Sequence, residues 1–244
     1  MSRSSPLWRT GAVTLTSAGV LVMGGGTAWA ATSSTTESLS QIQAEAAAAI
    51  TLRVNDLHSA IAKVQADATL GSEQSVLESY LQADIGPLQA LGQKITADTT
   101  TAAAAADADT LYANFRVLAL VLPAARLAGT STTTENRAVP DLNAALAKAK
   151  GDVNPSNEGT LDPLIADLTN QIATASSASS GIASTVLSYT PSVWNSNHNV
   201  LAPSRTSEQS AVNAVKAGRT DVKEIWSYLK SERTSTTTPA STTT

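Results

Sequence analysis

The most apolar stretch of the chain beyond its N-terminus runs from Leu111 to Ala128 and is followed by Gly129. Apolar residues recur in it every three or four positions, which is the spacing of one face of an α-helix. This predicted face comprises Leu111, Phe115, Leu118, Leu122 and Ala125. Further apolar residues widen the face until the segment is apolar nearly all round, as is typical of a helix with several neighbours. The pattern predicts the central helix of an all-helical bundle, ended by Gly129 in a left-handed conformation.

This stretch is long enough to span a bilayer, so a transmembrane helix is the alternative interpretation. However, it contains Arg116 and Arg126, together with Asn114 and Pro123. An arginine near the middle of a membrane costs roughly 2.5–3.5 kcal/mol even on the lenient insertion scale. We therefore interpret the stretch as a buried bundle helix, and we expect a bend at Pro123 because proline removes a backbone hydrogen bond.

Other segments show the same helical spacing, and no segment shows the alternation that is typical of a strand. The predicted helices cover about 39–68, 75–95, 111–128, 139–150, 160–186 and 206–232. Gly86 and Pro87 should kink or restart the second helix, and a polar break is expected from Gly129 to Thr134. Short connections favour antiparallel neighbours. The sequence thus predicts an all-α fold, an antiparallel bundle of five to six helices, several of them long and coiled-coil-like.

Local signals refine where these helices begin and how the bundle closes. The patterns at Ser34–Glu37 and Ser75–Glu78 are capping boxes, in which a hydroxyl and a glutamate satisfy the first free N–H groups of a helix. Residues 195–203 are predicted to be irregular. We expect Trp194, Val200 and Leu201 to close one end of the bundle.

The first 30 residues are typical of a secretory signal peptide. Arg3 and Arg9 precede the apolar run 11–26, and Ala28-Trp29-Ala30 supplies a small-residue cleavage site. Cleavage is expected between Ala30 and Ala31, and an uncleaved N-terminal membrane anchor is the alternative. The predicted organisation is a signal peptide at 1–30, a helical bundle domain at 31–233 and a disordered Thr/Ser-rich tail at 234–244, which has nothing apolar to bury.

Charge and cysteine content exclude several classes of function. The whole chain carries 16 basic and 20 acidic residues, and removing residues 1–30 takes away two arginines, which leaves a net charge of about −6. A nucleic-acid-binding protein would need a clustered basic face, which this acidic chain does not show. We therefore expect no nucleic-acid partner. The chain has no cysteine, which excludes disulfides and thiolate metal sites.

Candidate metal ligands are few. The two histidines, His58 and His198, are 140 positions apart and are interpreted as a solvent-facing helix residue and a polar loop residue. Asp98, Asp107 and Asp109 could form a cation site, but we favour solvated acids near a helix N-terminus, where the helix dipole stabilises negative charge. We expect no cofactor and no metal.

Arg116 and Arg126 are the remaining candidate site residues, because they lie on the most apolar helix. They could hold a buried anionic ligand. More often such arginines pair with a carboxylate of a neighbouring helix or bury only the stem of the side chain. We favour the ion-pair interpretation and keep both positions as candidate ligand or ion-pair sites.

Three segments carry a resemblance to known proteins: Gln93–Asp98, Tyr112–Pro123 and Tyr189–Trp194. Together they resemble a group of small secreted all-helical proteins of actinobacteria. The resemblance covers most of the mature chain and implies export and an all-helical fold. This group has no assigned activity, so the resemblance implies no functional residues.

The expected function is non-catalytic. The sequence contains no phosphate-binding loop, nucleophile elbow, zinc-protease motif or calcium loop. We expect a secreted or extracytoplasmic interaction or structural module of a bacterial cell envelope, with a protein or envelope partner and no stable membrane span after signal removal. The alternative is an extracytoplasmic binder of a small or lipid-like ligand between helices, which would require an apolar pocket beside Arg116 or Arg126.

Overall fold

Helices account for nearly all of the chain that the structure describes. The computed structural model describes residues 37–235, and this part contains α-helices and no β-strand. The helices are α1 Leu39–Ala66, α2 Glu73–Gln82, α3 Ile85–Ala97, α4 Thr101–Asn114, α5 Leu122–Thr133, α6 Val139–Gly151, α7 Glu158–Ser179, α8 Ile182–Leu187, α9 Pro191–Ser196 and α10 Ala202–Ser235. The all-α prediction is confirmed. The predicted signal peptide lies outside the described residues, as does residue 236 onward of the predicted tail.

Several of these helices run on from one another, so that six long helical segments make up the fold. A two-residue turn joins α2 to α3, close to the predicted interruption at Gly86 and Pro87. A π-helical turn, Thr134–Ala138, joins α5 to α6 without a break. The six segments are therefore α1, α2–α3, α4, α5–α6, α7 and α10, and the short α8 and α9 connect the last two.

The first segments pack antiparallel to one another. Gln74, at the start of α2, donates a hydrogen bond from Nε2 to the carbonyl oxygen of Val64 near the end of α1, at 3.1 Å. Gln43, near the start of α1, donates from Nε2 to the carbonyl oxygen of Ile95 near the end of α3, also at 3.1 Å. The α2–α3 segment thus returns along α1, as the short connection requires.

Two hydrophobic cores hold the helices together. The first is formed mainly by α1 to α5 and α8, and the second by α6, α7 and α10. Their largest fully buried side chains include Leu57, Leu81, Leu88, Leu111, Leu120 and Leu127 in the first core, and Leu161, Leu168 and Ile225 in the second. The α5–α6 segment contributes to both cores, because α5 lies in the first and α6 in the second.

The prediction of one continuous central helix from Leu111 to Ala128 is wrong. Helix α4 ends at Asn114, and the backbone of Phe115 and Arg116 is not helical. A π-helical turn, Val117–Val121, then leads into α5. The irregularity that we expected at Pro123 is therefore present, but it begins eight residues earlier and divides the segment in two.

Two prolines explain the two π-helical turns. Pro123 and Pro140 are each the second residue of an α-helix that follows such a turn. In a regular α-helix the proline ring collides with the carbonyl group four residues earlier and leaves it without a donor. A π turn widens the helix, because its N–H groups bond to the carbonyl five residues back, as Leu122 does with Val117 and Val139 with Thr134. The chain can therefore accommodate both prolines and continue as a helix.

The predicted helix end at Gly129 and the polar break after it are also wrong. Gly129 lies inside α5, where Leu70 and Leu77 pack 3.9 and 4.0 Å from the position that a Cβ would occupy. Ser131, Thr132 and Thr134 are buried. The hydroxyls of Ser131 and Thr134 donate to carbonyl oxygens of their own helix. Because these polar groups are satisfied locally, the helix can continue through the interior.

The register of the central segment also differs from the prediction. Val117, Leu120 and Val121 are buried, whereas Leu118, which we placed on the core face, is 47% exposed. The break at residues 115–116 and the wider π turn rotate the following side chains relative to those of α4, because each residue of an α-helix turns by about 100°. The predicted face is therefore wrong at Leu118, whereas Phe115 and Leu122 pack against the first core and Ala125 is buried.

The N-termini of α1 and α2 differ from the two capping boxes that the sequence predicts. The capping box of α1 is formed by Ser38 and Gln41, and only the last residue of the predicted box at 34–37 is described. Ser75 lies inside α2, which begins at Glu73, and its hydroxyl donates to the carbonyl oxygen of Ser72. The predicted box at Ser75–Glu78 is thus wrong, although the predicted start of the helix is correct.

Helices α7 and α10 make the most extensive helix pair of the fold. Gly218 permits their close approach, since a Cβ at this position would lie 3.2 Å from Cδ1 of Leu142 and 3.3 Å from Cδ1 of Leu168. Carbon atoms at van der Waals contact are about 3.5–4.0 Å apart, so a Cβ here would require both leucine side chains to shift by a few tenths of an ångström.

One helical stretch of the described residues, Thr101–Gly151, is long and apolar enough by length and composition to cross a membrane. This criterion is met by a window of 18 residues within the stretch, and 44% of that window is buried inside the protein. The stretch comprises α4, α5, α6 and the turns between them, and it supplies side chains to both cores.

The altered register predicts opposite outcomes for two leucines of the same π turn. Leu120→Ala should lower the free energy of unfolding by about 2–5 kcal/mol, because Leu120 is fully buried and its removal leaves a cavity. Leu118→Ala should lower it by less than about 0.5 kcal/mol, as for an ordinary surface substitution. Urea denaturation of both variants measures the difference. Equal losses would contradict the register described here.

Candidate interaction site

Arg116 lies where α4 meets α9. Its Nε donates a hydrogen bond to Oδ1 of Asn195 at 2.7 Å. Nδ2 of Asn195 in turn donates to the carbonyl oxygen of Ala113 at 2.9 Å. The amide side chain of Asn195 therefore satisfies a carbonyl in the last turn of α4 and orients Arg116 within the break. We call this region, residues 112–118 and 190–198, the α4–α9 corner.

The α4–α9 corner exposes apolar side chains. Tyr112, Leu118 and Val193 are 42%, 47% and 37% exposed, and each is within two residues of Ala113, Arg116 or Asn195. The other large apolar side chains that are exposed in residues 37–235 are Leu52 on α1 and Val76 on α2. Exposed apolar residues that occur singly are normal, whereas a group of them marks a potential binding surface.

Aromatic side chains in and beside the corner pack against the first core. Phe115, Tyr189 and Trp194 are half-buried and pack against the first core. The Trp194 ring contacts the ring of the exposed His198, with centroids 5.7 Å apart. Leu201 is buried in the same core and Val200 packs against it. All three residues that we expected to close one end of the bundle, Trp194, Val200 and Leu201, thus lie in the first core or against it.

Arg126 lies on the surface and pairs with another helix. Its Nη2 lies 3.5 Å from Oε2 of Glu208 on α10, and its side chain is 68% exposed. This arrangement is the ion pair that we favoured over a buried anionic ligand. The sequence placed Arg116 and Arg126 ten residues apart on one helix, and the structure gives them different partners, an amide and a carboxylate.

An open groove lies between α7 and α10. It has a volume of about 720 Å³ and is open to solvent. Its walls carry amide and hydroxyl side chains, one arginine and small apolar residues, namely Gln171, Thr174, Arg205, Thr206, Gln209, Ser210, Asn213, Ala214 and Ala217. Neither Arg116 nor Arg126 lines this groove. It is thus not the arginine-walled apolar pocket that a lipid-like ligand would require.

Arg53 is a buried charged residue that the sequence analysis missed. It is 9% exposed, its Nη1 donates to the carbonyl oxygen of Ala49, and its guanidinium lies 5.1 Å from the centre of the Tyr112 ring. Burial lowers the pKa of Arg53, and Tyr112 partly offsets this effect. Arg53 follows Ile50 by three positions and precedes Leu57 by four, so the apolar spacing of α1 already placed it on the buried face.

The candidate metal ligands do not converge. Asp107 lies in the second turn of α4, so the predicted interaction with a helix N-terminus is wrong, and its Oδ1 lies 2.8 Å from Nζ of Lys94. That hydrogen bond raises the pKa of Lys94. His58 is exposed on α1, and His198 lies at the α4–α9 corner. In the part of the chain that the structure describes, no group of three His, Asp or Glu side chains could hold a metal ion.

Comparisons with known proteins add no assignment. The chain matches no protein-family model, no curated protein and no solved structure. The function must therefore be argued from the surfaces described above.

A buried phenol and carboxyl predict a loss of stability in alkali. The hydroxyl of Tyr80 and Oδ2 of Asp84, one helical turn apart, have no hydrogen-bond partner among the described residues. Burial, with a contribution from Asp84, raises the pKa of Tyr80 to about 12 from its ordinary value of 10.0. Burial also raises the pKa of Asp84.

The raised pKa of Tyr80 means that the folded protein favours the neutral phenol. As the pH rises above 10, the unfolded chain ionises first, so stability should fall between about pH 10 and 12. Tyr80→Phe should reduce this loss and should also raise stability at pH 8, because it removes an unsatisfied hydroxyl. Urea denaturation at pH 8 and pH 11 measures both effects. Tyr189→Phe, which removes a hydroxyl that makes no hydrogen bond within residues 37–235, is the control, and an identical alkaline loss in wild type and Tyr80→Phe would contradict the prediction.

The hydrogen bonds of Asn195 predict a graded response to substitution. Asn195→Ala should lower the free energy of unfolding by about 1–2 kcal/mol, since two hydrogen bonds are lost. Asn195→Asp should cost less, because a carboxylate still accepts from Arg116 although it cannot donate to Ala113. Thermal unfolding monitored by circular dichroism provides the measurement. Asn170→Ala, at an exposed position of α7, is the control, and equal effects of all three substitutions would contradict the role of Asn195.

Proposed function

We propose that this protein is a non-catalytic interaction module that works outside the cytoplasm and binds a protein partner through the α4–α9 corner. The observation that carries the proposal is the exposure of three large apolar side chains on the two segments of this corner, Tyr112, Leu118 and Val193. Apolar surface is costly to leave in water and favourable to bury, at roughly 25 cal/mol per Å². A partner that covers these side chains would gain this free energy.

The supporting residues make the corner suitable for recognition. The half-buried rings of Phe115 and Trp194 pack against the first core, so they hold the surface without much freedom to lose on binding. Arg116 and Asn195 supply polar groups beside the apolar side chains. An apolar centre with polar groups at its edge is the usual composition of a protein–protein interface, and arginine and aromatic residues are enriched there.

Export is the second part of the proposal and depends on residues 1–30. The basic residues, apolar run and small-residue site of this segment favour secretion, and the absence of cysteine is compatible with any compartment. We accordingly interpret the apolar stretch 101–151 as helices of the bundle that contribute to its cores, and we propose a partner in the cell envelope or outside it.

A comparison of two matched double variants tests the proposed interface. Leu118→Ser with Val193→Ser changes the corner, and Leu52→Ser with Val76→Ser changes two exposed apolar residues elsewhere. Each protein is immobilised and incubated with envelope extract and culture medium of the producing cells, and retained proteins are quantified by mass spectrometry. We expect at least one protein to be retained by wild type and by the control variant, and to be retained at least tenfold less by the corner variant.

Thermal unfolding must show that both variants remain folded, as expected for exposed positions. Equal retention of every protein by the corner variant and the control variant would overturn the proposal. Retention of no protein by the wild type would overturn it as well.

A further inference from the structure

The groove between α7 and α10 is lined mainly by neutral side chains that can form hydrogen bonds. Three amide side chains and three hydroxyls line it, namely Gln171, Gln209, Asn213, Thr174, Thr206 and Ser210. Amides and hydroxyls both donate and accept hydrogen bonds, as do the hydroxyl groups of a sugar. We propose that this groove binds an oligosaccharide that carries a carboxylate at one end, with Arg205 holding the carboxylate.

The lining of the groove differs from an ordinary solvated helix face. The exposed face of the second half of α10 is charged, with Lys216, Arg219, Lys223 and Glu224. By contrast, Arg205 is the single charged residue among those that line the groove. This cluster of neutral hydrogen-bonding groups matches a ligand that is itself rich in hydroxyls.

The polar groups of the groove are largely available to a ligand. Gln209 donates from Nε2 to Oδ1 of Asn213 at 2.9 Å, and Thr206 donates to the carbonyl oxygen of Ala202 at 3.1 Å. Within residues 37–235, the side chains of Gln171 and Ser210 make no hydrogen bond. The hydrogen bond between Gln209 and Asn213 orients the two amides. It leaves the carbonyl oxygen of Gln209 and the NH₂ group of Asn213 free to bind a ligand.

Electrostatics select a ligand with its charge at one end. Glu208, beside Arg205 along α10, is paired with Arg126, so its charge is compensated. Among the residues that line the groove, Arg205 supplies the charge, and it lies at one end of the α10 wall. An anion is thus attracted to that end. An otherwise neutral oligosaccharide with a single terminal carboxylate matches this arrangement.

Arginine suits this role because its planar guanidinium can donate two parallel hydrogen bonds to a carboxylate. The side chain of Arg205 is exposed and makes no ion pair with the described residues. The groove shares no residue with the α4–α9 corner, so this inference is independent of the proposed function and can fail or succeed separately.

Sialyllactose and lactose provide a matched pair of probes, because the first adds a terminal sugar with one carboxylate to the second. Binding to the full ¹⁵N-labelled protein is followed through the side-chain amide signals of Gln171, Gln209 and Asn213. We expect saturable shifts of these signals with sialyllactose, and at least tenfold weaker binding of lactose. Shifts confined to signals outside the groove would overturn the proposal, as would no shift at all.

Substitutions of arginine separate recognition from general charge effects. Arg205→Gln should weaken sialyllactose binding at least tenfold, and Arg205→Lys should weaken it by a smaller factor because the positive charge remains. Arg219→Gln removes the same charge from an exposed position of α10 outside the groove and should leave binding unchanged. Equal effects of Arg205→Gln and Arg219→Gln would overturn the role of Arg205. Acetate producing the same shifts at the same concentration would overturn the requirement for a sugar.

Discussion

The rest of the fold depends on how one helical segment accommodates two prolines. Pro123 and Pro140 each lack the N–H group that a regular helix needs, and each follows a π-helical turn that avoids the resulting collision. Because the helix widens and does not end, residues 117–151 form one segment that reaches both hydrophobic cores. The two cores are therefore connected by this continuous helical segment as well as by side-chain packing.

The first of these π-helical turns, together with the break before it, also determines which side chains of the apolar run are exposed to solvent. The break before Val117 and the π turn place Leu118 in solvent and Leu120 in the core, although both residues belong to the same apolar run. Arg116 and Arg126 reach partners outside the cores, one on α9 and the other on α10. The most apolar part of the chain thus supplies both the interior and the exposed corner, so the constraint that organises the core also shapes the candidate interface.

The candidate sites could be predicted only in part from sequence. Arg53 was detectable, because its distance from Ile50 and Leu57 puts it on the apolar face of α1. Asn195 was not, because its partner Arg116 is 79 positions away and nothing local marks either residue as one of a pair. The α7–α10 groove is equally invisible, since Gln171 and Arg205 are ordinary polar residues until two helices bring them together.

The sequence by itself determined that the protein is helical, that the helices are long and antiparallel, and approximately where most of them begin. These features depend on local periodicity, glycine, proline and short connections, whose effects act within a few residues. Only the tertiary structure decided that Gly129 lies inside a helix, where Leu70 and Leu77 pack against it, and that polar residues up to Thr134 are buried. Burial between neighbouring helices outweighs the local preference for a break, because packing contributes more to helix stability than intrinsic propensity does.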